Sequence, residues 1–382
     1  MKIPNSWKKV QFGDVVSKIN DKVSNREEWI FNRYIGGEHF DEGEIRVTKS
    51  APIEGNEEVI GSAFHMRFKP GQVLYVTRNP RLRKGGMVNF EGVCSNVSFV
   101  MEANETKLLQ SLLPFVIQTE DFVKHTCNNA HGSTNPFLNW KDIANYEFLL
   151  PPLVEQKKIN EVLWGVENSI IKLEIYLQKL RSFQDKIITN LLKPKKGGKL
   201  TKFGEIIKLS KEKSQAPYGN LKYLGLEHID SGVSICNKFS DANNVKSVTS
   251  VFKKGDILYG KLRPYLDKAV IASFDGICTT EILVINANDK TTNDFLMLHI
   301  RTKDFIDYNT RLGFGTKMPR TSVEIISNYE IYLPSISEQK ILLNTTNKLN
   351  KLIADVNKNK ASLKNLRNKL SNELLKGELR LD

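Results

Sequence analysis

Closely spaced cysteines are missing from this sequence of 382 residues. Its four (Cys94, Cys127, Cys236 and Cys278) form no Cys-x-x-Cys pair, which argues against a zinc ribbon or a disulfide framework. They read as small buried apolar side chains. Long apolar runs are missing too. The richest cluster, Leu108 to Ile117, is interrupted by Gln110, Ser111 and Pro114, and falls short of the roughly 18 apolar residues that cross a bilayer. The opening Met1-Lys2-Ile3-Pro4-Asn5-Ser6-Trp7 has no secretory apolar core. The expectation is a cytoplasmic protein with no membrane partner.

Signatures of chemistry are equally sparse. No Gly-rich loop ends in Lys-Ser/Thr, so no nucleotide-driven motor is indicated. Asn135-Pro136-Phe137 is similar to the Asn-Pro-Pro-aromatic motif of adenine methyltransferases but lacks the second proline, and no Gly-rich cofactor motif accompanies it. Asp267-Lys268 alone does not make a nuclease metal site. His39 and His228 each follow a glutamate, but no other His or Cys stands at ligand spacing, which favours structural roles. The chain is expected to hold no catalytic residue, metal or cofactor.

What the sequence has is positive charge and a repeat. Lys and Arg number 56 against 43 Asp and Glu, a formal net charge of +13, which points to a polyanionic partner. Lys69-Pro70-Gly71-Gln72-Val73-Leu74-Tyr75 aligns with Lys253-Lys254-Gly255-Asp256-Ile257-Leu258-Tyr259. The same register carries Phe90-Glu91-Gly92-Val93-Cys94-Ser95 onto Phe274-Asp275-Gly276-Ile277-Cys278-Thr279. Tyr34 to His39 meets Tyr223 to His228, and Glu155-Gln156-Lys157 meets Glu338-Gln339-Lys340. The matches keep their order, so the chain is one unit used twice, roughly 1–195 and 196–382.

Each unit has two parts. Gln72 to Val76, Val97 to Met101, Ile257 to Tyr259 and Ile282 to Ile285 are β-branched and aromatic, and read as strands. After Pro151-Pro152, apolar residues recur at alternating spacings of four and three: Ile159, Leu163, Val166, Ile170, Leu173, Leu177, Leu180, Ile187 and Leu191, with Gln184 polar. After Pro334 the phase returns in Leu342, Leu349, Ile353, Val356, Leu363, Leu370 and Leu374, with Thr346 and Lys360 as polar slots. This is a coiled-coil seam, present twice. About 38 helical residues span about 57 Å, longer than a small domain is wide. The two seams are expected to bury each other in an antiparallel pair that holds the globular parts apart. Gly165 is a candidate kink or close approach.

Two segments in each unit are candidates for nucleic-acid contact. One is the basic loop, with Arg78, Asn79, Arg81, Arg83 and Lys84 in the first unit and Lys261, Arg263, Tyr265 and Lys268 in the second. Arg offers a planar fork to guanine and phosphate, and Asn pairs with adenine. The other precedes each long helix: Ser133, Thr134 and Asn135 in one copy, Thr316, Lys317 and Arg320 in the other. Gly, hydroxyl groups and free backbone N–H groups suit phosphate. A shared frame with changed side chains is what two different base sequences require.

The duplicated Leu150-Pro151-Pro152-Leu153-Val154-Glu155-Gln156-Lys157 and Leu333-Pro334-Ser335-Ile336-Ser337-Glu338-Gln339-Lys340, each followed by heptads, resemble the specificity subunit of type I restriction-modification systems. The run Gly255-Asp256-Ile257-Leu258-Tyr259-Gly260-Lys261-Leu262-Arg263-Pro264-Tyr265 is similar to its target-recognition domains. The resemblance covers essentially the whole chain. It implies an α+β fold: a tandem duplication of a mixed α/β target-recognition domain with a twisted β core plus a long helix. The helices would pair as an antiparallel coiled coil with pseudo-two-fold symmetry. The implied divisions are residues 1–150 and 196–333 for the two recognition domains. Residues 151–195 would be the central helical spacer and linker, and 334–382 the C-terminal helical spacer. The implied role is to read a bipartite, asymmetric site in double-stranded DNA, one half per domain, with the coiled coil setting the gap. The implied partners are two methyltransferase subunits and the restriction subunits, which would bring S-adenosylmethionine, ATP and Mg²⁺. The basic linker Lys193 to Lys199 is a further candidate for DNA contact. The equivalent subunit of a type II system with fused methyltransferase and nuclease would look the same. A self-sufficient methyltransferase or nuclease, and a scaffold without DNA binding, are the alternatives of other classes.

Overall fold

The computed structural model describes residues 6–193, 200–315 and 318–381. The basic linker beyond Lys193 and the candidates Thr316 and Lys317 lie outside the described residues. The chain divides into two compact units, Met1–Ile175 with Asn357–Asp382, and Tyr176–Val356. Each contains a β domain and segments of both long helices.

In the first domain, β-branched runs pair into two sheets. One has four antiparallel strands in the order Val16–Ile19, Ser98–Ala103, Val73–Val76, Gly85–Met87. The other runs Ala51–Pro52, Arg33–Ile35, Gly92–Ser95, Phe64–Phe68, with the middle two parallel. The second domain repeats the plan with five strands in each sheet. Their orders are Ile207–Leu209, Ile282–Ala287, Ile257–Gly260, Ala269–Ala272, Ile235–Cys236 and Lys213–Ser214, Thr249–Phe252, Gly276–Cys278, Lys222–Leu224, Ser240–Asp241. An antiparallel two-stranded ladder closes each domain just before its long helix, Lys8–Gln11 on Glu147–Leu150 and Leu200–Lys202 on Glu330–Tyr332.

Four strands stand where the sequence places them, at Val73–Val76, Ser98–Ala103, Ile257–Gly260 and Ile282–Ala287. Cys94, Cys236 and Cys278 are buried, whereas Cys127 is exposed on a helix surface. His39 and His228 are structural: each Nδ1 accepts the backbone N–H of the glycine three residues earlier, Gly36 or Gly225, at 2.9 Å. Among the described residues no group of three His, Cys, Asp or Glu could hold a metal ion, and no helix is long and apolar enough to cross a membrane.

The long helices run Leu153–Leu192 and Ile336–Leu375, each starting just past its proline. Of the seam residues, Ile159, Leu163, Ile170, Leu177, Leu180, Leu342 and Val356 are buried. Val166, Leu173, Leu349, Ile353, Leu363 and Leu370 are half-buried. In the first unit, Ile159 and Leu163 join a core with Leu370 and Leu374, and that core continues through Phe115 and Phe122 to Tyr75 of the sheet. Gln184 donates to Asn350 at 2.6 Å in the second unit, and Arg367 to Glu167 at 2.8 Å in the first. Within the first unit Glu167 meets Arg367, and Glu174, seven residues later, meets Lys360, seven residues earlier, so the helix segments there are antiparallel. Thr346 is buried and returns its hydroxyl to Leu342 O at 3.1 Å, which satisfies the polar slot within its own helix. Gly165 admits no close neighbour. It is exposed, a Cβ there would meet nothing within 4 Å, and the helix continues through it.

Candidate nucleic-acid interface

The basic loops have one backbone in two copies. Strand Val73–Val76 leads into a short 3-10 turn, Pro80–Leu82, flanked by Asn79 at φ 51° and Arg83 at φ 50°. In the second domain the turn is Pro264–Leu266, flanked by Arg263 at φ 51° and Asp267 at φ 48°. Among the described residues these four alone are non-glycine positions with positive φ. Proline presets the first turn residue, while the left-handed residues beside it cost about 1–2 kcal/mol each. Strain of that kind persists where surrounding contacts over-determine the loop, and it concentrates at working sites.

The over-determining contacts are repeated as well. Lys84 Nζ donates to Gly37 O at 2.9 Å, and Lys268 Nζ to the equivalent Leu226 O at 2.6 Å. Gln118 Nε2 donates to the carbonyls of Glu44, Arg83 and Gly85 at 2.9–3.1 Å. Arg301 occupies its place in the second domain and donates to the carbonyls of Val233, Asp267 and Ala269, with Asp267 Oδ2 at 2.7 Å. The two candidate segments of each domain also meet. Asn79 N donates to Pro136 O at 2.8 Å, and Arg263 N to Pro319 O at 2.7 Å. Asn79 Nδ2 reaches Asn135 Oδ1 at 2.9 Å, while the Arg78 guanidinium lies 4.9 Å from the Phe137 ring centroid and bonds Asn135 O at 3.3 Å.

This geometry sorts the residues singled out by sequence. Lys84 and Lys268 tie the loop to its own domain. Arg83 grips the Glu120 carboxylate with two bonds at 2.7 and 2.5 Å, which hold that carboxyl below the usual carboxylate range. Arg320 Nε reaches Glu281 Oε2 at 3.2 Å and remains exposed. Arg81, Ser133, Thr134, Asn135 and Tyr265 are exposed at the tips, and Arg78, Asn79, Lys261 and Arg263 are half-buried beneath them. Sequence reasoning missed Gln118, Glu120 and Arg301, which shape the loop from the start of a neighbouring helix. The signal available was the repeated threonine next to them, Thr119 and Thr302, each of which caps its helix.

Comparison with known proteins gives a consistent result. The sequence model of the type I restriction modification DNA specificity domain matches twice, over residues 4–179 and 195–365. The specificity subunit of type I restriction enzyme EcoDI from Escherichia coli is 26% identical over 318 residues, spanning 70% of this chain and 71% of that protein. That of MjaVIII from Methanocaldococcus jannaschii is 22% identical over 426 residues, spanning 100% of this chain and 95% of the other. Among solved structures, one chain from a study of assembly and conformational transition of the type I R-M system is similar with a TM-score of 0.62. Its identity is 16%, over 99% of this chain and 100% of that one. The type I S subunit from M. genitalium gives 0.51 at 14% identity over 98% of each chain. At those identities the structural likeness speaks to the fold.

Proposed function

The chain belongs to the type I restriction modification DNA specificity family, and from that membership we propose that it is the non-catalytic reading subunit of a DNA-modifying complex. Each β domain reads one half of a bipartite site in double-stranded DNA, and the paired helices set the number of unread base pairs between the halves. Two methyltransferase subunits and the restriction subunits assemble with it, and S-adenosylmethionine, ATP and Mg²⁺ belong to those partners. One observation carries this reading: two domains hold the same strained loop in the same frame but offer different side chains at its tip. A scaffold has no need of two fixed loops with changed tips, whereas a reader of two unlike half-sites does.

Methylome sequencing of cells with and without the gene tests the function. The expected result is a bipartite methylated motif that disappears on deletion, and no lost motif would refute the reading. A finer prediction separates two arginines of the first domain. Arg81→Ala should relax one base position of one half-site, at about 1–3 kcal/mol of lost discrimination, and leave the other half intact. Arg83→Ala removes a partner of Glu120 and acts on loop shape, so its effect should spread over the whole half-site. Competition binding with duplexes varied one base at a time distinguishes them. A uniform loss for Arg81→Ala with a smaller salt slope would make that residue a phosphate contact.

A further inference from the structure

The shared loop frame carries opposite chemistry in the two domains. Four outward positions of the first domain hold Arg81, Asn129, His131 and Asn135, all polar and exposed. Their equivalents in the repeat are Tyr265, Leu312, Phe314 and Met318, which are apolar or aromatic and 49%, 46%, 58% and 46% exposed. The exchange is complete at all four positions. Single exposed apolar residues need no explanation, but several converging on one loop edge mark a surface that is covered in use. Backbone bonds place them on that edge: Arg263 N reaches Pro319 O at 2.7 Å, and Phe314 pairs with Arg320 in an isolated bridge.

The surroundings indicate what covers this edge. Lys261, Arg263, Arg311 and Arg320 flank it, so the partner is a polyanion with apolar groups between its charges. The corresponding edge of the first domain offers Arg81 and Asn135 to base edges, beside Asn129 and His131, whose side chains bond His125 O at 2.8 Å and Asp142 Oδ2 at 3.0 Å. Duplex DNA meets both descriptions. In its major groove the one apolar group on a base edge is the 5-methyl of thymine. We propose that Tyr265, Phe314 and Met318 are the specificity-determining residues of the second domain, and that they read thymine methyl groups by apolar contact. The first domain reads its half-site through hydrogen bonds. This inference rests on the DNA-reading function proposed above and adds the chemistry of one half-site.

The test uses the full chain assembled with its cognate methyltransferase and duplexes that carry its bipartite site. Deoxyuridine replaces each thymine in turn, which removes one methyl group and leaves every hydrogen bond of the base pair. At least one replacement should weaken binding about tenfold. In Tyr265→Ala, Phe314→Ala or Met318→Ala, at least one variant should bind thymine and uracil duplexes equally at that position, while Phe314→Leu keeps the distinction. The side chains are exposed, so thermal midpoints should not move. Uracil tolerated at every position would overturn the inference, as would a dependence that survives in all three alanine variants. Loss of methyltransferase binding in place of base discrimination would assign the edge to a protein partner and also overturn it. A wild-type complex with no sequence preference at all fails differently, because it removes the proposed function itself.

Discussion

Replacing Glu167 with leucine will destabilise the first unit by about 3–5 kcal/mol, whereas the paired exchange Glu167→Asn with Arg367→Gln will cost much less. Glu167 is 0% exposed and Arg367 1%, on the two helix segments of the first unit. Arg367 reaches Glu167 Oε2 at 2.8 Å, Glu44 Oε2 at 3.3 Å and Gly43 O at 3.0 Å. Arg46 holds the other oxygen of Glu167 at 2.5 Å and Glu174 at 3.0 Å, and Lys364 bonds Glu44. Glu167 is therefore shared by two arginines, and one of them cannot turn to water. Leucine in its place takes away the shortest carboxylate contact of that cation and leaves it only Glu44 at 3.3 Å and the Gly43 carbonyl, and a buried charge that loses its nearest partner is among the costliest single defects. The double exchange removes both charges and leaves Arg46–Glu174 and Lys364–Glu44 intact. It also installs the neutral pairing that Gln184 and Asn350 already make in the second unit at 2.6 Å.

Urea unfolding of the full chain, with hydrogen exchange at residues 43–47 as the local readout, checks the result. A leucine variant as stable as the double exchange would remove the claim. The same network sets an acid dependence. Burial acts to raise the Glu44 carboxyl, but the Lys364 hydrogen bond and the charges of Arg367 and Lys364 outweigh it and hold the group below its ordinary value. A depressed folded-state pKa stabilises fully above the ordinary carboxylate range and is lost as pH falls through the folded value. Lys364→Met should therefore flatten the loss of stability on acidification.

That network also marks how far the sequence could be read. The seam was legible because heptad spacing is local, and the strands because β-branched runs are local. The duplication was legible because equal positions keep equal residues. Arg367 sits in the next seam slot after Leu363, so its place in the heptad was visible and makes a third polar slot beside Thr346 and Lys360. Its meaning was not, because its partners Glu44 and Glu167 come from far away in the chain and only folding brings them together. Arg83 shows the same limit from the other side. As a basic loop residue it resembles a DNA contact, yet Glu120 from a distant helix occupies both ends of its fork. Gln118 and Arg301 do one job with unlike side chains, so alignment by residue type passes over them.

Removing residues 177–183 and 351–357 together should shorten the tolerated spacer of the DNA site without altering either half-site. Seven residues are two turns at 3.5 per turn, so each seam closes without changing face. Leu173 is then followed by Gln184 in the slot of Leu177, and Leu349 by Lys360 in the slot of Ile353. The Arg367–Glu167 network and the Gln184–Asn350 pair lie outside the deletions, and so do both β domains. What changes is helix length, by about 10.5 Å at 1.5 Å per residue. Duplex DNA rises about 3.4 Å per base pair, so the preferred spacer should lose about three base pairs. Methylation at the original spacing should fall to background, since half-sites held one heptad too close cannot both be engaged. Methylome sequencing of cells carrying the shortened chain reads half-sites and spacer at once. The same half-sites at an unaltered spacing would show that the helices do not set the distance.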